Sequence, residues 1–235
     1  MDLLQPSLTI LILSRPFLEL IMDADLANII ENYVDAHTDD VALLLDELMA
    51  ETEKITGRSF WSIGKVEGKM MQLLIKISNT KRAVEVGTFT GYSALIMAEA
   101  LPVDGLLTTC ENSQTYAEVA LRYFEQSPYG HKIRLKMGPA LQTLKQMPAE
   151  SQDFVFIDAD KPSYGDYFDE TLRILIPGGL IFVDNVFWRN KIFKKKITND
   201  NAKAIAAFNE KVRIESRVEK VMLGIRDGVY LIRKI

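Results

Sequence analysis

Cysteine and histidine are scarce in this chain of 235 residues, which contains one cysteine, Cys110, and two histidines, His37 and His131. A single cysteine excludes an internal disulfide and a thiolate zinc cluster. It is typical of proteins from the reducing cytoplasm, where we expect this one. With so few soft ligands, any metal that the chain binds is expected to be a hard cation held by oxygen atoms.

A surplus of positive charge is also missing, because 28 basic residues stand against 32 acidic ones and the net charge is -4. This balance excludes a general nucleic-acid-binding surface, although a local basic patch remains open. It favours small molecules as partners.

Long apolar runs are rare as well. The run at residues 8–13, LTILIL, is too short to span a bilayer, and no positively charged region precedes it. We therefore expect no membrane segment. Residues 1–22 are interpreted as a leader or N-terminal arm, which either packs against a neighbour or extends the chain ahead of a natural start at Met22.

The remaining residues, 23–235, predict a single domain, because the chain is too short for two comfortable domains. Residues 23–80 carry apolar side chains at helical spacing and predict N-terminal helices. The second of these helices is expected to be capped by Asp39 or Asp40, and the third to cover residues 70–77. From residue 81 to 235 the pattern changes to short apolar runs alternating with amphipathic helices.

Five strand-helix alternations in residues 81–235 predict a parallel sheet with helices on both faces, a doubly wound α/β fold. The strand-like runs lie at 83–87, 106–111, 132–137, 153–158 and 179–185. Two further runs, at 218–223 and 228–233, flank a turn and predict a hairpin that adds one antiparallel strand. The sequence therefore predicts a seven-stranded, mostly parallel sheet.

The segment EVGTFTG, from Glu85 to Gly91, joins the first predicted strand to a helix, at the edge where open α/β sheets bind ligands. A dinucleotide fold needs G-x-G-x-x-G to seat a pyrophosphate, and here the middle glycine is missing. Glu111 ends the next strand 24 positions after Gly87, where a carboxylate can accept hydrogen bonds from ribose hydroxyls. The pattern indicates a nucleoside-bearing cofactor; a plain tight turn and NAD binding are the alternatives.

Acidic and amide side chains follow the fourth and fifth predicted strands. Asp158, Asp184 and Asn185 supply oxygen ligands suited to Mg²⁺ or Ca²⁺, with Mn²⁺ as a further candidate. Lys161 lies three residues after Asp158, so that a bound cation would favour its neutral form and a role as general base. The alternative is that these residues only cap the helices and turns that follow.

At these residues the sequence resembles the cation-dependent O-methyltransferases, the family that includes caffeoyl-CoA O-methyltransferase, with catechol O-methyltransferase further off. The resemblance runs from about residue 28 to 235. The segments that carry it are EVGTFTGYSAL, GPAL at 138–141, FIDADKPSY at 156–164, PGGLIFVDNVFW at 177–188 and GIRDGVYLIRK near the C-terminus. It implies a class I, Rossmann-like methyltransferase fold and an S-adenosylmethionine-dependent enzyme that methylates one hydroxyl of a vicinal, catechol-like diol on a small phenolic molecule. It also implies a homodimer.

The resemblance assigns roles to individual residues. Positions that match cofactor contacts are Ile63, Glu85, Gly87, Thr88, Ser93, Glu111, Ala140, Asp158 and Asp160. Asp158, Asp184 and Asn185 match the metal ligands, and Lys161 matches the lysine thought to deprotonate the substrate hydroxyl.

The chain departs from the family beside the expected acceptor pocket. After Trp188 the family commonly has asparagine or aspartate and then glycine, whereas this chain has Arg189, Asn190 and a basic loop that ends at Lys196. Trp188 and Arg189 are therefore candidate substrate contacts. The loop keeps a second acceptor open, 5-hydroxyuridine in tRNA, although a solvated loop is favoured. A non-catalytic cofactor-binding module and a nucleotide-dependent oxidoreductase are alternatives of another class.

Overall fold

The computed structural model describes residues 24–235, so the leader or arm expected at residues 1–22 lies outside the described residues. The chain divides into two compact units, up to Asp40 and from Val41 onward, which are described separately. In the first unit, α1 (Ala24–Ala36) exposes the apolar side chains of Ile29, Ile30, Tyr33 and Val34. No helix among the described residues is long and apolar enough to cross a membrane.

Seven strands of the described chain form one sheet in the second unit. They are β1 (Arg82–Val86), β2 (Leu106–Glu111), β3 (Ile133–Met137), β4 (Gln152–Ile157), β5 (Leu175–Val183), β6 (Val218–Leu223) and β7 (Val229–Lys234). Their order is β3-β2-β1-β4-β5-β7-β6, and β7 is the one strand of this sheet that runs opposite to the other six. The predicted fold, with one antiparallel strand, is confirmed.

Helices cover both faces of the sheet. They are α2 (Leu43–Thr56), α3 (Lys65–Ile77), α4 (Tyr92–Ala100), α5 (Gln114–Gln126), α6 (Ala140–Gln146), α7 (Tyr164–Ile174) and α8 (Asp200–Ile214). One core places Ala83, Phe154 and Phe182 of the sheet against residues of α2 to α5. The other places Val84, Val155 and Ile181 against residues of α6 to α8. Adjacent residues of one strand thus enter opposite cores, which is why the central strands read as continuous apolar runs.

Three predicted boundaries in this unit were wrong. The N-cap of α2 is Ala42 rather than Asp39 or Asp40, and no side chain caps it. Helix α3 begins at Lys65 instead of residue 70, because Glu67 turns back to accept a hydrogen bond from the Gly64 backbone N–H and so starts the helix before Gly68. Strand β5 begins at Leu175, which pairs with Gln152 ahead of a register irregularity.

The strand order determines which loops meet. The chain runs outward from β1 to β2 and β3, and then returns to the other side of β1 as β4. This reversal between β1 and β4 is the point where open α/β sheets bind ligands. The carboxyl ends of β1, β4 and β5 are therefore neighbours, and they carry the glycine loop and both acidic segments.

Candidate active site

A cavity of about 1050 Å³ opens at this edge of the sheet. All but one of the site residues predicted from the sequence line it. They are Ile63, Gly87, Thr88, Ser93, Glu111, Ala140, Asp158, Asp160, Lys161, Asp184, Asn185, Trp188 and Arg189. The exception is Glu85. The structure thus brings the predicted residues together in one place, while their individual roles stay predictions.

The loop after β1 needs its two glycines for reasons within the chain. Gly87 has a φ of +107°, and a Cβ there would collide with the backbone carbonyl of Asp158. Gly91 has a φ of +98°, and a Cβ there would lie 2.7 Å from the ring of Phe124. Residues that carry a Cβ rarely adopt such φ values. Close approach of a ligand was the reason expected for these glycines, but packing against α5 and the segment after β4 already requires them.

Glu111, the predicted ribose ligand, also forms hydrogen bonds with the backbone of the loops beside it. Its Oε2 accepts a hydrogen bond from the Phe89 N–H at 2.8 Å. Its Oε1 accepts from the N–H groups of Asn112 and Ser113 at 2.9 and 2.8 Å. Three backbone donors therefore hold this carboxylate at the end of β2, beside the cavity, in one orientation.

Glu85 lies beneath the loop and is fully buried. Its carboxyl accepts hydrogen bonds from Ser93 Oγ and, at 2.5 Å, from Thr109 Oγ1. Burial raises the pKa of Glu85 to about 8, although both hydrogen bonds act in the opposite direction. Glu85 contacts Ser93, which does line the cavity. This contact indicates that Glu85 holds Ser93 in place from beneath the cavity wall.

Asp160 is held by two hydroxyl groups, Tyr167 Oη at 2.5 Å and Ser163 Oγ at 2.5 Å. Burial raises the pKa of Tyr167, so its phenol stays protonated and donates. Tyr167 also lines the cavity, and sequence reasoning missed it. The available signal was its closeness in sequence, seven residues after Asp160 and in the first turn of α7.

Lys161 is buried, and its amine lies between the two acidic strand ends. Its Nζ donates to Asp158 Oδ1 at 2.8 Å and to Tyr164 Oη at 2.6 Å. Tyr164 in turn donates to the Asp184 carbonyl oxygen at 3.2 Å. The ring of Trp188 lies 5.5 Å from Nζ. The amine is therefore held at a defined place on the cavity wall.

The predicted metal ligands suit a hard cation by their chemistry. Asp184 is almost fully buried; burial raises the pKa of its carboxyl, and the nearby charge of Asp158 raises it further. Asp158 and Asp184 both line the cavity, and a divalent cation held between them would neutralise both carboxylate charges. In this part of the chain no three His, Cys, Asp or Glu side chains form a metal-binding group, so such a site would also need the Asn185 amide.

The cavity rim consists of a loop in an unusual conformation. Trp188, Arg189 and Asn190 are consecutive non-glycine residues with φ values of 47°, 54° and 58°. The Arg189 N–H donates to Asp227 Oδ1 at 2.5 Å, and Trp188 Nε1 donates to Asn199 Oδ1 at 2.9 Å. The Arg189 guanidinium lies 5.5 Å from the ring of Phe60. Hydrogen bonds thus stabilise a loop whose backbone is costly in itself.

Comparison with known proteins agrees with this geometry. The model of a family described as O-methyltransferase matches residues 35–235. The chain is 34% identical over 213 residues to "Probable caffeoyl-CoA O-methyltransferase 1" of Dictyostelium discoideum, covering 88% of this chain and 93% of that protein. It is 34% identical over 203 residues to caffeoyl-CoA O-methyltransferase 3 of Nicotiana tabacum, covering 80% and 84%.

A solved structure shows the same similarity in three dimensions. The O-methyltransferase from Bacillus cereus, crystallised in complex with S-adenosylhomocysteine (SAH), superposes with a TM-score of 0.81 at 26% identity, covering 88% of this chain and 97% of that one. The resemblance inferred from the sequence motifs is confirmed. The chain belongs to the O-methyltransferase family and is an S-adenosylmethionine-dependent O-methyltransferase of the caffeoyl-CoA O-methyltransferase type.

Proposed function

We propose that this enzyme methylates one hydroxyl of a vicinal diol on a small aromatic acceptor, with a divalent cation (Mg²⁺, Ca²⁺ or Mn²⁺) as cofactor. The observation that supports this most is the position of Lys161. Its amine shares one cavity with the oxygens of Asp158, Asp184 and Asn185, and is within hydrogen-bond distance of the first of them. A proton acceptor and a hard-cation donor set are thus adjacent.

The proposed cofactor site lies next to these groups. The Bacillus cereus relative was crystallised with SAH, the product that remains after methyl transfer. In this chain Glu111 would bind the ribose, and Ala140 would contact the adenine. Gly87, Thr88, Ser93 and Asp160 complete the site that the resemblance implies.

In the proposed reaction, Lys161 Nζ accepts the proton of one acceptor hydroxyl. A divalent cation bound by Asp158, Asp184 and Asn185 would supply positive charge that lowers the pKa of that hydroxyl and disfavours protonated Lys161. The phenolate oxygen attacks the methyl carbon, the carbon–sulfur bond breaks with its electron pair on sulfur, and SAH leaves. Because the methyl donor is already activated as a sulfonium, alignment and hydroxyl acidity supply most of the rate.

The test is a methyl-transfer assay read by product mass, with a panel of catechols and Mg²⁺ or EDTA. Lys161→Met should lower turnover by about 10²–10⁴-fold, the usual contribution of a positioned base. Asp184→Asn, which keeps the side-chain shape but removes a charge, should abolish the response to Mg²⁺. Asp200→Asn is the matched control, because Asp200 is exposed on α8 and pairs only with Lys203 among the described residues.

Unchanged turnover of a catechol after chelation, or in Asp184→Asn, would contradict the proposal. Hydroxyuridine-containing tRNA serves as the second acceptor in the same assay, because Lys194, Lys195 and Lys196 are exposed just after the cavity rim. Methylation of the tRNA alone would favour that alternative. Binding of SAH without transfer to any acceptor would favour a non-catalytic module.

A homodimer and a cytoplasmic location are also proposals. The exposed apolar side chains of α1, Ile29, Ile30, Tyr33 and Val34, support a protein partner. The single buried cysteine, Cys110, fits a reducing compartment. Light scattering of the purified chain tests the first, and a monomer mass at working concentrations would exclude it.

A further inference from the structure

Two buried polar atoms on the cavity wall have no hydrogen-bond partner. Among the described residues, four buried side-chain oxygens are unpaired: Ser62 Oγ, Glu67 Oε1, Thr171 Oγ1 and Asn209 Oδ1. Ser62 and Glu67 both line the cavity, on either side of Ile63 and the start of α3. An unpaired buried polar group costs about 1–3 kcal/mol, so two in one short segment indicate a place where a ligand supplies the partners.

The Glu67 carboxylate is fixed in its orientation. It is completely buried, and its Oε2 accepts hydrogen bonds from the Gly64 N–H at 3.1 Å and from Arg226 Nη1 at 2.8 Å. The next residue, Gly68, packs so closely on Ile96 that a Cβ would lie 2.6 Å from its Cδ1. The helix start therefore cannot shift easily, and Oε1 stays unpaired unless a donor comes to it.

Among the described residues, no other acid of the cavity has a buried side-chain oxygen without a hydrogen-bond partner. Both oxygens of Glu111 accept backbone N–H groups, and both oxygens of Asp160 accept hydroxyl groups. One oxygen of Asp158 accepts from the Lys161 amine. Oε1 of Glu67 is buried and has no donor, so it suits a charged donor brought by a ligand.

The methyl donor carries such a group. The amino-acid end of S-adenosylmethionine has an ammonium, which only donates hydrogen bonds, and a carboxylate, which only accepts them. A serine hydroxyl can donate to that carboxylate. Ile63, which lies between Ser62 and Gly64, matches a position whose backbone contacts this end of the cofactor.

We propose that Ser62 and Glu67 bind the amino-acid end of S-adenosylmethionine. Glu67 Oε1 accepts a hydrogen bond from the α-ammonium, and Ser62 Oγ donates one to the α-carboxylate. Neither residue was matched to a cofactor contact in the sequence. The inference rests on the cofactor site of the proposed function and requires neither the cation nor the acceptor.

The test is calorimetric binding to the full chain in EDTA, with two ligands. SAH carries the amino-acid end, whereas 5′-methylthioadenosine has the same nucleoside and thioether but lacks it. Glu67→Gln should weaken SAH binding about 10- to 100-fold, the range for a lost hydrogen bond between charged groups. Ser62→Ala should weaken it about 3- to 10-fold. Both should leave methylthioadenosine affinity within about twofold.

Thr171→Val is the matched control, because it removes an equally unpaired buried oxygen that does not line the cavity. It should change neither affinity. Wild-type SAH affinity in both Glu67→Gln and Ser62→Ala would overturn the proposal. If Glu67→Gln misfolds and binds neither ligand, Ser62→Ala is the deciding variant. The proposal then requires that Ser62→Ala weaken binding of SAH and leave binding of methylthioadenosine unchanged.

Two further outcomes would distinguish this inference from a cation-binding role of Glu67 and from failure of the proposed cofactor site itself. If Glu67→Gln binds SAH normally and instead loses Mg²⁺ affinity, Glu67 serves the cation and the proposal is wrong. If the wild-type chain binds neither nucleoside ligand, the cofactor site itself is refuted, and this inference with it.

Discussion

The ionisable side chains of this site form hydrogen bonds with chemically different groups. Glu111 is held by backbone N–H groups, Lys161 by a carboxylate and a phenol, and Glu85 by two hydroxyl groups. Glu85 is fully buried, and the cost of burying its charge outweighs its hydrogen bonds and raises its pKa to about 8. Two glutamates of one site, Glu111 and Glu85, are thus held in different ways, the first by backbone donors and the second by buried hydroxyl groups.

The raised pKa of Glu85 predicts a dependence of stability on pH. Its reference value is 4.5, so folding disfavours the ionised form. The stability contributed by the protonated group is fully present below about pH 4.5 and is lost as the pH rises toward about 8. Glu85→Gln cannot ionise, and its free energy of unfolding should therefore fall less than that of the wild type across this window. Urea unfolding at about pH 5 and about pH 8 measures the difference.

Glu215→Gln is the control for this experiment. Hydrogen bonds from Arg217 lower the pKa of Glu215 to about 2, so its contribution is lost only as the pH falls below the window. Its effect on stability should be the same at both pH values. A wild-type chain and a Glu85→Gln variant that lose stability in parallel would show that Glu85 is ionised throughout.

At the scale of elements, helix ends were predictable where the signal was local. Ser113 caps α5 by accepting a hydrogen bond from the Tyr116 N–H, and Asn199 caps α8 by accepting from the Ala202 N–H. Helix α4 ends differently. Lys132, from a distant segment, is buried and donates to the Ala98 and Leu101 carbonyl oxygens at 3.0 and 2.6 Å. An amine from another element therefore satisfies carbonyl groups at this helix end.

Lys132→Met should destabilise the protein by about 1–3 kcal/mol, because it leaves these carbonyl groups buried without a donor. Lys81→Met is the matched control. Lys81 pairs with Asp104 at 2.6 Å, but both side chains are more than half exposed, so removing this amine should cost clearly less stability than removing that of Lys132. Urea unfolding compares the two variants. Equal losses would mean that the two carbonyl groups find water once the amine is gone.

At the scale of the molecule, the cavity is closed by segments far apart in the chain. Arg226, in the turn between β6 and β7, pairs with Glu67 at the start of α3, 159 positions away. The next residue, Asp227, accepts the Arg189 N–H of the rim. One hairpin turn therefore joins the wall on the α3 side to the wall that follows β5.

Because the wall is assembled in this way, ligand binding should stabilise segments that are distant in sequence. SAH at about 100 times its dissociation constant should add about 2.7 kcal/mol to the free energy of unfolding. In hydrogen exchange, amides at residues 62–67 and 226–228 should slow together with those at 87–93. Slowing limited to 87–93 would show that the hairpin turn does not respond to the cofactor.

The amino-acid sequence by itself determined the sheet, its one antiparallel strand, and the meeting of the glycine loop with the residues after β4 and β5. These follow from local periodicity and from the rule that parallel strands end at one edge. Only the tertiary structure decided that Glu85 lies under the cavity wall, that Arg226 pairs with Glu67, and that Glu67 faces the cavity with one buried oxygen unpaired. Those facts depend on contacts between loops far apart in the chain, and no spacing within the sequence encodes such distances.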